Sequence, residues 1–276
     1  MTRIWGWGMA IAVAAAIGVT GAAAQTLEKI KQRGTLIVGV KADYKPFGFR
    51  DPSGKIVGFE PDLAQDVATA LGVKLELEPV ISSNRMQFLQ QGKIDLMIAT
   101  MNDKPDRRQV VGIIEPSYYA SSVTVMAPKK AALKQWEQLK GKPVCAIQGA
   151  WYNKPLAEKY GMDVVAFKGT AEAQTAMVQG NCVGWAYDDT AFPGLLEDKA
   201  KWGDYEAVLP AIMPDPWGLA VPLPEREKAF GRFMAGMIYE WHRSGRIAEL
   251  EKKWHLPASP FVAQMHQKFT APAATN

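Results

Sequence analysis

Two cysteines and three histidines are all that 276 residues supply of the soft metal ligands. Two cysteines permit one bridge and exclude a disulfide framework. The histidines, His242, His255 and His266, all fall in the C-terminal segment, so no Cys/His metal spacing is present. The motifs G-x-S-x-G and H-E-x-x-H are missing, and so is a phosphate-cradling glycine loop. The net charge is only +4, with basic residues scattered along the chain, which excludes the clustered footprint that nucleic acid requires. Outside the N-terminus no apolar run is long enough to span a bilayer. No metal, cofactor or nucleic-acid partner is therefore expected. What remains is ordinary globular composition, 48% hydrophobic and 22% charged, and enough chain for two modest lobes or one large domain.

The N-terminus stands apart. Arg3 precedes an apolar run, "IWGWGMAIAVAAAIGVT" (4–20), and "GAAAQ" offers an A-x-A cleavage site after Ala24. Residues 1–24 read as a secretory signal peptide. The run falls short of the roughly 20 residues of a confident span, and no cysteine follows it for lipid attachment. The expectation is an exported, periplasmic protein with no stable membrane insertion after cleavage. In that oxidising compartment Cys145 and Cys182, at the starts of the apolar runs "PVCAIQG" and "CVGWAYDD", become disulfide candidates. Such a bridge contributes on the order of 3 kcal/mol in the chain-entropy picture.

Periodicity predicts an α/β protein. "TLEKIKQRG" is a short amphipathic helix ending at Gly34, and "TLIVGV" a buried strand. "DPSG" (51–54) is a hairpin turn. "EPDLAQDVATALG" is a helix with Leu63, Val67, Ala70 and Leu71 on one face and Gly72 as its stop. Strands "VKLELEPV" and "IDLMIAT" flank a short helix, "RMQFLQQG". A second unit of similar length follows, with strands "SSVTVMAP", "KPVCAIQG", "DVVAF" and "CVGWAYDD". Its helices are "KQWEQLKG", "NKPLAEKYG" and "TAEAQTAMVQG", the last with Thr170 as N-cap and Gly180 as stop. After a strand "GLAVP", residues 223–256 form one or two amphipathic helices, and the tail "TAPAATN" is expected to be disordered. The alternation argues for two lobes, each with a mainly parallel sheet flanked by helices. Open α/β sheets bind ligands beyond the carboxyl ends of their strands. That singles out residues 41–47, 99–107, 148–152 and 186–189. Among them "TMNDKPDRR" (100–108) places hydroxyl, amide and carboxylate groups just ahead of an arginine pair, as an anion-binding strand end would.

"GFEPDLAQDVATAL" (58–71) resembles the signature of the family-3 extracellular solute-binding proteins, periplasmic amino-acid receptors of ABC importers. Pro61 stands where the family carries an aliphatic residue, a mild departure in a first helical turn. The resemblance continues in order through "LIVGVKADYKPFGF", "NRMQFLQQGKIDLMIAT", "PDRRQVVGIIEPSYYASS", "GKPVCAIQGAW", "GNCVGWAYDD" and "WHRSGRIAELEKKW". It implies a two-lobe, type II periplasmic-binding-protein-like fold. Residues 25–118 would form the first part of lobe 1, 119–217 lobe 2, and 218–276 the return to lobe 1. The two hinge crossings would fall near Tyr118–Ser122 and Pro214–Gly218, with closure about them.

The resemblance also implies roles. Arg107 matches the arginine whose planar fork takes the ligand carboxylate, and Arg108 would face solvent. Asp188 matches the aspartate that pairs with the ammonium, with Asp189 pointing away. Thr100 and Asn102 match positions that contact these two groups, the second being more often Ser or Thr in the family. Ala150 and Trp151 replace a usual Thr-Thr at a strand-to-helix turn, where backbone N–H groups attract a carboxylate. Tyr44 and Phe47 match aromatic positions lining the cleft, although Phe47 fits a core position equally well. Arg85 matches an arginine that some acidic-amino-acid receptors use on the side-chain carboxylate. Lys41 argues against a basic ligand, because like charges repel. The implied partners are a small-molecule amino acid and the membrane permease of an ABC importer, with the receptor itself a monomer. The rival readings are a periplasmic enzyme on the same scaffold, similar to cyclohexadienyl dehydratase, and a ligand-sensing module. The three histidines lie away from the strand ends and read as helix-surface residues, which favours a binding protein over an enzyme.

Overall fold

The β-branched run "TLIVGV" forms the strand Thr35–Lys41, which is sandwiched between parallel partners Lys74–Val80 and Leu96–Met97. Ala220–Val221 joins Leu96–Met97 antiparallel, and Gly112–Ile113 closes a five-stranded sheet. These strands, and all that follows, come from a computed structural model that describes residues 26–271. The proposed signal peptide and the last five residues of the tail lie outside the described residues.

The second sheet has six strands. Pro143–Ile147 runs parallel to Asp163–Phe167 and Trp185–Asp188. The long strand Tyr119–Pro128 runs antiparallel to Trp185–Asp188 on one side, and to Tyr205–Ala207 and Ile212–Trp217 on the other. Both sheets are therefore mixed rather than mainly parallel. The strands that enter or return from the other sheet run against the parallel set, because an antiparallel neighbour needs no crossover helix.

The chain leaves the first sheet after Ile113, enters the second at Tyr119, and returns between Trp217 and Ala220. The first crossing thus lies just ahead of the expected Tyr118–Ser122. Residues 119–122 already belong to a strand that pairs with Ile212–Trp217. The two crossings are tied together by Tyr118 N–H donating to Trp217 O at 3.0 Å and Ile114 N–H to Leu219 O at 3.0 Å. His242 reaches the same segment, its Nε2 donating to Ser117 O at 2.9 Å. It is 1% exposed, so it is a buried support of a crossing and not the surface residue expected from its place in an amphipathic helix.

Several elements sit where the pattern placed them, with shifts that have physical causes. The helix Phe59–Leu71 ends at left-handed Gly72, but it buries Glu60, Leu63, Ala64, Val67 and Ala68 while Ala70 is exposed. Its burying face is rotated toward Glu60, a carboxylate that apolar periodicity does not count. Gly58 precedes this helix at φ 142°, and a Cβ there would lie 2.5 Å from Phe47 O, so the G-F-E motif needs its glycine. Thr170 is the first helical residue of Thr170–Val178 and Gly169 the N-cap, so the expected Thr170 cap is displaced by one. Cys145 and Cys182 are bridged, with Cα atoms 5.5 Å apart. Cys182 lies in the bend before Trp185–Asp188, not at the strand's start. Ile212–Trp217 carries Pro214 and Pro216, which hid it as a strand; it survives because it occupies a sheet edge.

Candidate functional site

The carboxyl ends of Thr35–Lys41, Leu96–Met97, Pro143–Ile147 and Trp185–Asp188 converge where the two sheets face each other. Arg107 spans the gap. It lies in a single turn of helix, Pro105–Arg108, and is 6% exposed. Its Nη2 donates to Gly149 O of the opposite lobe at 2.9 Å, and its Nη1 to Asn102 O at 3.2 Å. Burial lowers its pKa from the ordinary arginine value, while nearby Asp106, Asp215 and Asp188 oppose that shift. Successive helical residues point about 100° apart, so Arg108 turns away. It is ion-paired with Asp103 and Glu115 rather than free in solvent.

Asp188 ends its strand from the other side and is 5% exposed. Burial pushes its carboxyl up to about 7, against the hydroxyls of Tyr152 and Tyr44, which favour the ionised form. Asp189 faces elsewhere, its Oδ1 accepting from Ser122 N–H at 3.0 Å. Arg85 is buried at 3%, donates to Ala99 O, and keeps a pKa of about 10 after a burial-driven reduction.

Thr100 adopts the left-handed region at φ 47°. Its N–H is committed to Glu60 Oε1 at 2.6 Å, and the Tyr118 hydroxyl donates to the same oxygen at 2.5 Å. Only its carbonyl and hydroxyl are left to meet a ligand. Asn102 bridges Trp217 through its backbone, and its side chain lies beside Asp215, the partner of Lys104. Glu60 is fully buried, and burial pushes it up to about 7. Lys41 is also fully buried, its Nζ 2.9 Å from Asp43 Oδ1. Burial lowers its pKa, with Asp43 opposing.

The aromatic residues divide. Tyr44 packs 5.0 Å from Tyr187 and its hydroxyl lies 2.8 Å from Thr190 Oγ1, both contacts crossing between lobes. Phe47 lies behind it, enclosed by Tyr44, Phe59, Tyr119 and Trp217 at centroid distances of 4.9–5.4 Å. Phe47 therefore belongs to the aromatic core. Gly149, Ala150 and Trp151 form the turn after Pro143–Ile147. Gly149 holds φ 82°, and a Cβ there would meet Ser82 O of the first lobe at 2.8 Å. Trp151 is half-buried with Lys104 Nζ 3.4 Å from its ring centre, a cation–π contact between lobes. The arrangement thus places Arg85, Arg107, Thr100, Asn102, Tyr44, Ala150, Trp151 and Asp188 on the parts of the two lobes that face each other, with Arg107 and Arg85 in the field of Asp188. It adds Glu60, Tyr152 and Tyr187, which sequence reasoning missed although each adjoins a flagged strand end or motif residue. Among the described residues no group of three or more His, Cys, Asp or Glu is disposed to hold a metal.

Comparison with known proteins gives the family and the fold. Residues 36–257 match the bacterial extracellular solute-binding proteins, family 3. The chain belongs to that family. It is 29% identical over 235 residues to the ABC transporter glutamine-binding protein GlnH of Bacillus subtilis, covering 83% of this chain and 84% of that one. The P235GK mutant of ArgBP from T. maritima superposes with a TM-score of 0.75 at 27% identity, covering 84% of this chain and 99% of the other. The ancestral amino acid-binding protein AncCDT-1, a precursor of cyclohexadienyl dehydratase, superposes at 0.71 with 27% identity, covering 83% and 99%. The fold is the two-lobe α/β fold of these receptors.

Proposed function

We propose that this family-3 solute-binding protein holds the α-carboxylate and α-ammonium of an amino acid between Arg107 and Asp188 and closes its lobes about them. The observation that carries this reading is a buried cation from one lobe and a buried anion from the other, close enough to act on each other where the lobes meet. Arg107 offers the two parallel donors a carboxylate requires, and Asp188 offers acceptors for an ammonium. Of the other buried charges here, Lys41 is paired with Asp43, Glu60 is engaged by Thr100 and Tyr118, and Arg85, bonded to Ala99 O, is a second cation acting on Asp188.

The same reading places residues 1–24 as a cleaved signal peptide, 25–118 and 218–276 in lobe 1, and 119–217 in lobe 2. The receptor works in the periplasm as a monomer and delivers its amino acid to a membrane permease. It carries out no chemistry on the ligand. Among the described residues no helix is long and apolar enough to cross a membrane. Relatives named for glutamine and arginine binding, and an ancestral amino acid-binding protein, support the ligand class.

The test is a thermal shift on residues 25–276 after unfolding and refolding to strip carried-over ligand. The panel is the L- and D-amino acids, analogues lacking the amino or the carboxyl group, and prephenate and L-arogenate. A ligand present at a thousandfold excess over its Kd stabilises by about 4 kcal/mol. Stabilisation by a few L-amino acids, lost in both analogues, is expected. Turnover of prephenate or arogenate, or no shift with any amino acid, contradicts the proposal.

A further inference from the structure

Outside the clamp, one contact joins the lobes at the N-terminus of the helix Thr170–Val178, nine residues long. A helix leaves its first four N–H groups without intrahelical partners. Here the N-cap, Gly169, has no side chain to satisfy them, and no side-chain cap comes from this helix's own lobe. The acceptor comes from the other lobe. Asp43 Oδ2 accepts from Thr170 N–H at 3.2 Å, and Asp43 O accepts from the Thr170 hydroxyl at 2.6 Å. The second carboxylate oxygen, Oδ1, lies 2.9 Å from Lys41 Nζ, and the Lys41 side chain is wholly enclosed. One aspartate thus joins a buried ammonium of its own lobe to the positive end of a helix dipole in the other. Thr170 is 4% exposed, while the Asp43 side chain keeps 24% exposure at the rim.

We infer that Asp43 is a closure-positioning residue. It caps the Thr170–Val178 helix only when the lobes are together, and it stabilises the closed form whatever amino acid is bound. Three features carry this. The contact is made entirely by protein groups, so it adds to closure without discriminating between ligands. It is lost when the lobes part, because the acceptor lies in the short strand Asp43–Tyr44 of the first lobe and the donor starts a helix of the second. Separation also leaves the helix terminus uncapped and leaves Asp43 to Lys41 alone. The effect of the contact on binding therefore appears in dissociation, since a closed-form contact slows opening and encounter occurs in the open form. The inference rests on the proposed function only in that the lobes separate and close. One arm of its test needs no ligand.

That arm is the exchange rate of the Thr170 amide with water, measured by NMR on ligand-free protein, wild type against Asp43→Ala, and repeated at saturation with each amino acid that the thermal shift detects. The amide of Ala173, which donates to Gly169 O within the helix, serves as internal control. Faster exchange at Thr170 by threefold or more, with Ala173 unchanged, is expected. Equal rates at Thr170 both without ligand and at saturation would overturn the cap. The second arm is stopped-flow binding of L-glutamine, L-glutamate and L-arginine, using each that the thermal shift detects. Asp43→Ala and Thr170→Val are expected to raise koff by about five- to thirtyfold, the range of a helix cap with dipole assistance. The factor should be the same for every ligand and kon should change by less than twofold, while Thr170→Ser, which keeps the hydroxyl, stays near wild type. A change in kon alone, or a factor that depends on the ligand side chain, overturns the closure role and makes Asp43 a ligand contact. If no amino acid binds, the proposed function fails and the exchange arm still decides the cap.

Discussion

The first lobe brings Lys41, Arg85 and Arg107 to the cleft with Asp43 and Glu60, whereas the second brings Asp188 with Tyr152 and Tyr187. Within the first lobe Lys41 pairs with Asp43, and Arg85 lies in the field of Glu60. That leaves Arg107 as the cation whose hydrogen bonds go to a carbonyl of the other lobe rather than to an acid of its own. In the second lobe Asp188 is the buried acid; the hydroxyls of Tyr152 and Tyr44 favour its ionised form, and the cation that acts on it, Arg85, belongs to the first lobe. The first lobe is thus left with residual positive charge, on Arg107 and Arg85, and the second with the residual negative charge of Asp188. Neither lobe alone is a site for a zwitterion, and together they are complementary to one. Burying an unpaired charge is expensive, so the asymmetry makes closure favourable when a ligand supplies both counter-charges.

Removing either residual charge breaks that comparison most severely. Arg107→Ala is expected to weaken amino-acid binding by roughly a hundred- to a thousandfold, the usual consequence of leaving a buried partner unpaired. Calorimetric titration measures it, and a loss of less than tenfold counts against Arg107 as the carboxylate clamp. Phe47→Ala separates core from site: it should cost about 3–5 kcal/mol of stability in urea unfolding, because the ring fills an aromatic cluster. A change in affinity with stability intact would put Phe47 in the cleft instead. Replacing both Cys145 and Cys182 by Ser should cost about 3 kcal/mol of stability with affinity held within threefold. The bridge joins two parts of the second lobe and has no part in the charge division.

Acidity separates stability from binding. Burial raises Asp188 and Glu60 to about 7 in the folded, ligand-free protein, whereas in the unfolded chain they ionise near 4. The folded state therefore holds protons that the unfolded state has released. Their contribution to stability is full below about pH 4 and is lost as pH rises through about 7. A ligand ammonium needs ionised Asp188, so affinity moves the other way. Kd should rise as pH falls below 7, approaching about tenfold per unit. Asp188→Asn should flatten that profile. The smallest effect is expected from Tyr44→Phe, which removes the hydroxyl beside Thr190 and Asp188 and should weaken binding by about two- to tenfold.

What the sequence revealed and what it concealed follow from the range of each interaction. "TLIVGV", "DVVAF" and the Gly72 stop are local signals, and they appear as the strands Thr35–Lys41 and Asp163–Phe167 and a left-handed cap. The strand-end rule located Arg107 and Asp188 because the ends of parallel strands share one side of a sheet. It did not reveal Glu60, whose burial is compensated by the Thr100 amide forty residues on and by Tyr118 across the crossing. Nor did it reveal that Phe47 turns inward, which depends on Tyr119 and Trp217 from the hinge strands. Ile212–Trp217 was hidden by its prolines. Contacts between lobes, such as Asp43 with Thr170, belong to no local pattern.

The central claim is that Arg107 and Asp188 each answer one charge of a zwitterion. The most direct measurement titrates an L-amino acid identified in the thermal-shift panel, and its analogue lacking the amino group, into wild type and Asp188→Asn. Removing the amino group should cost a hundredfold or more in wild type and less than threefold in Asp188→Asn, because the ammonium's partner is already gone. An equal penalty in both proteins would mean that Asp188 does not read the ammonium, and the division of charge between the lobes would not be the basis of recognition.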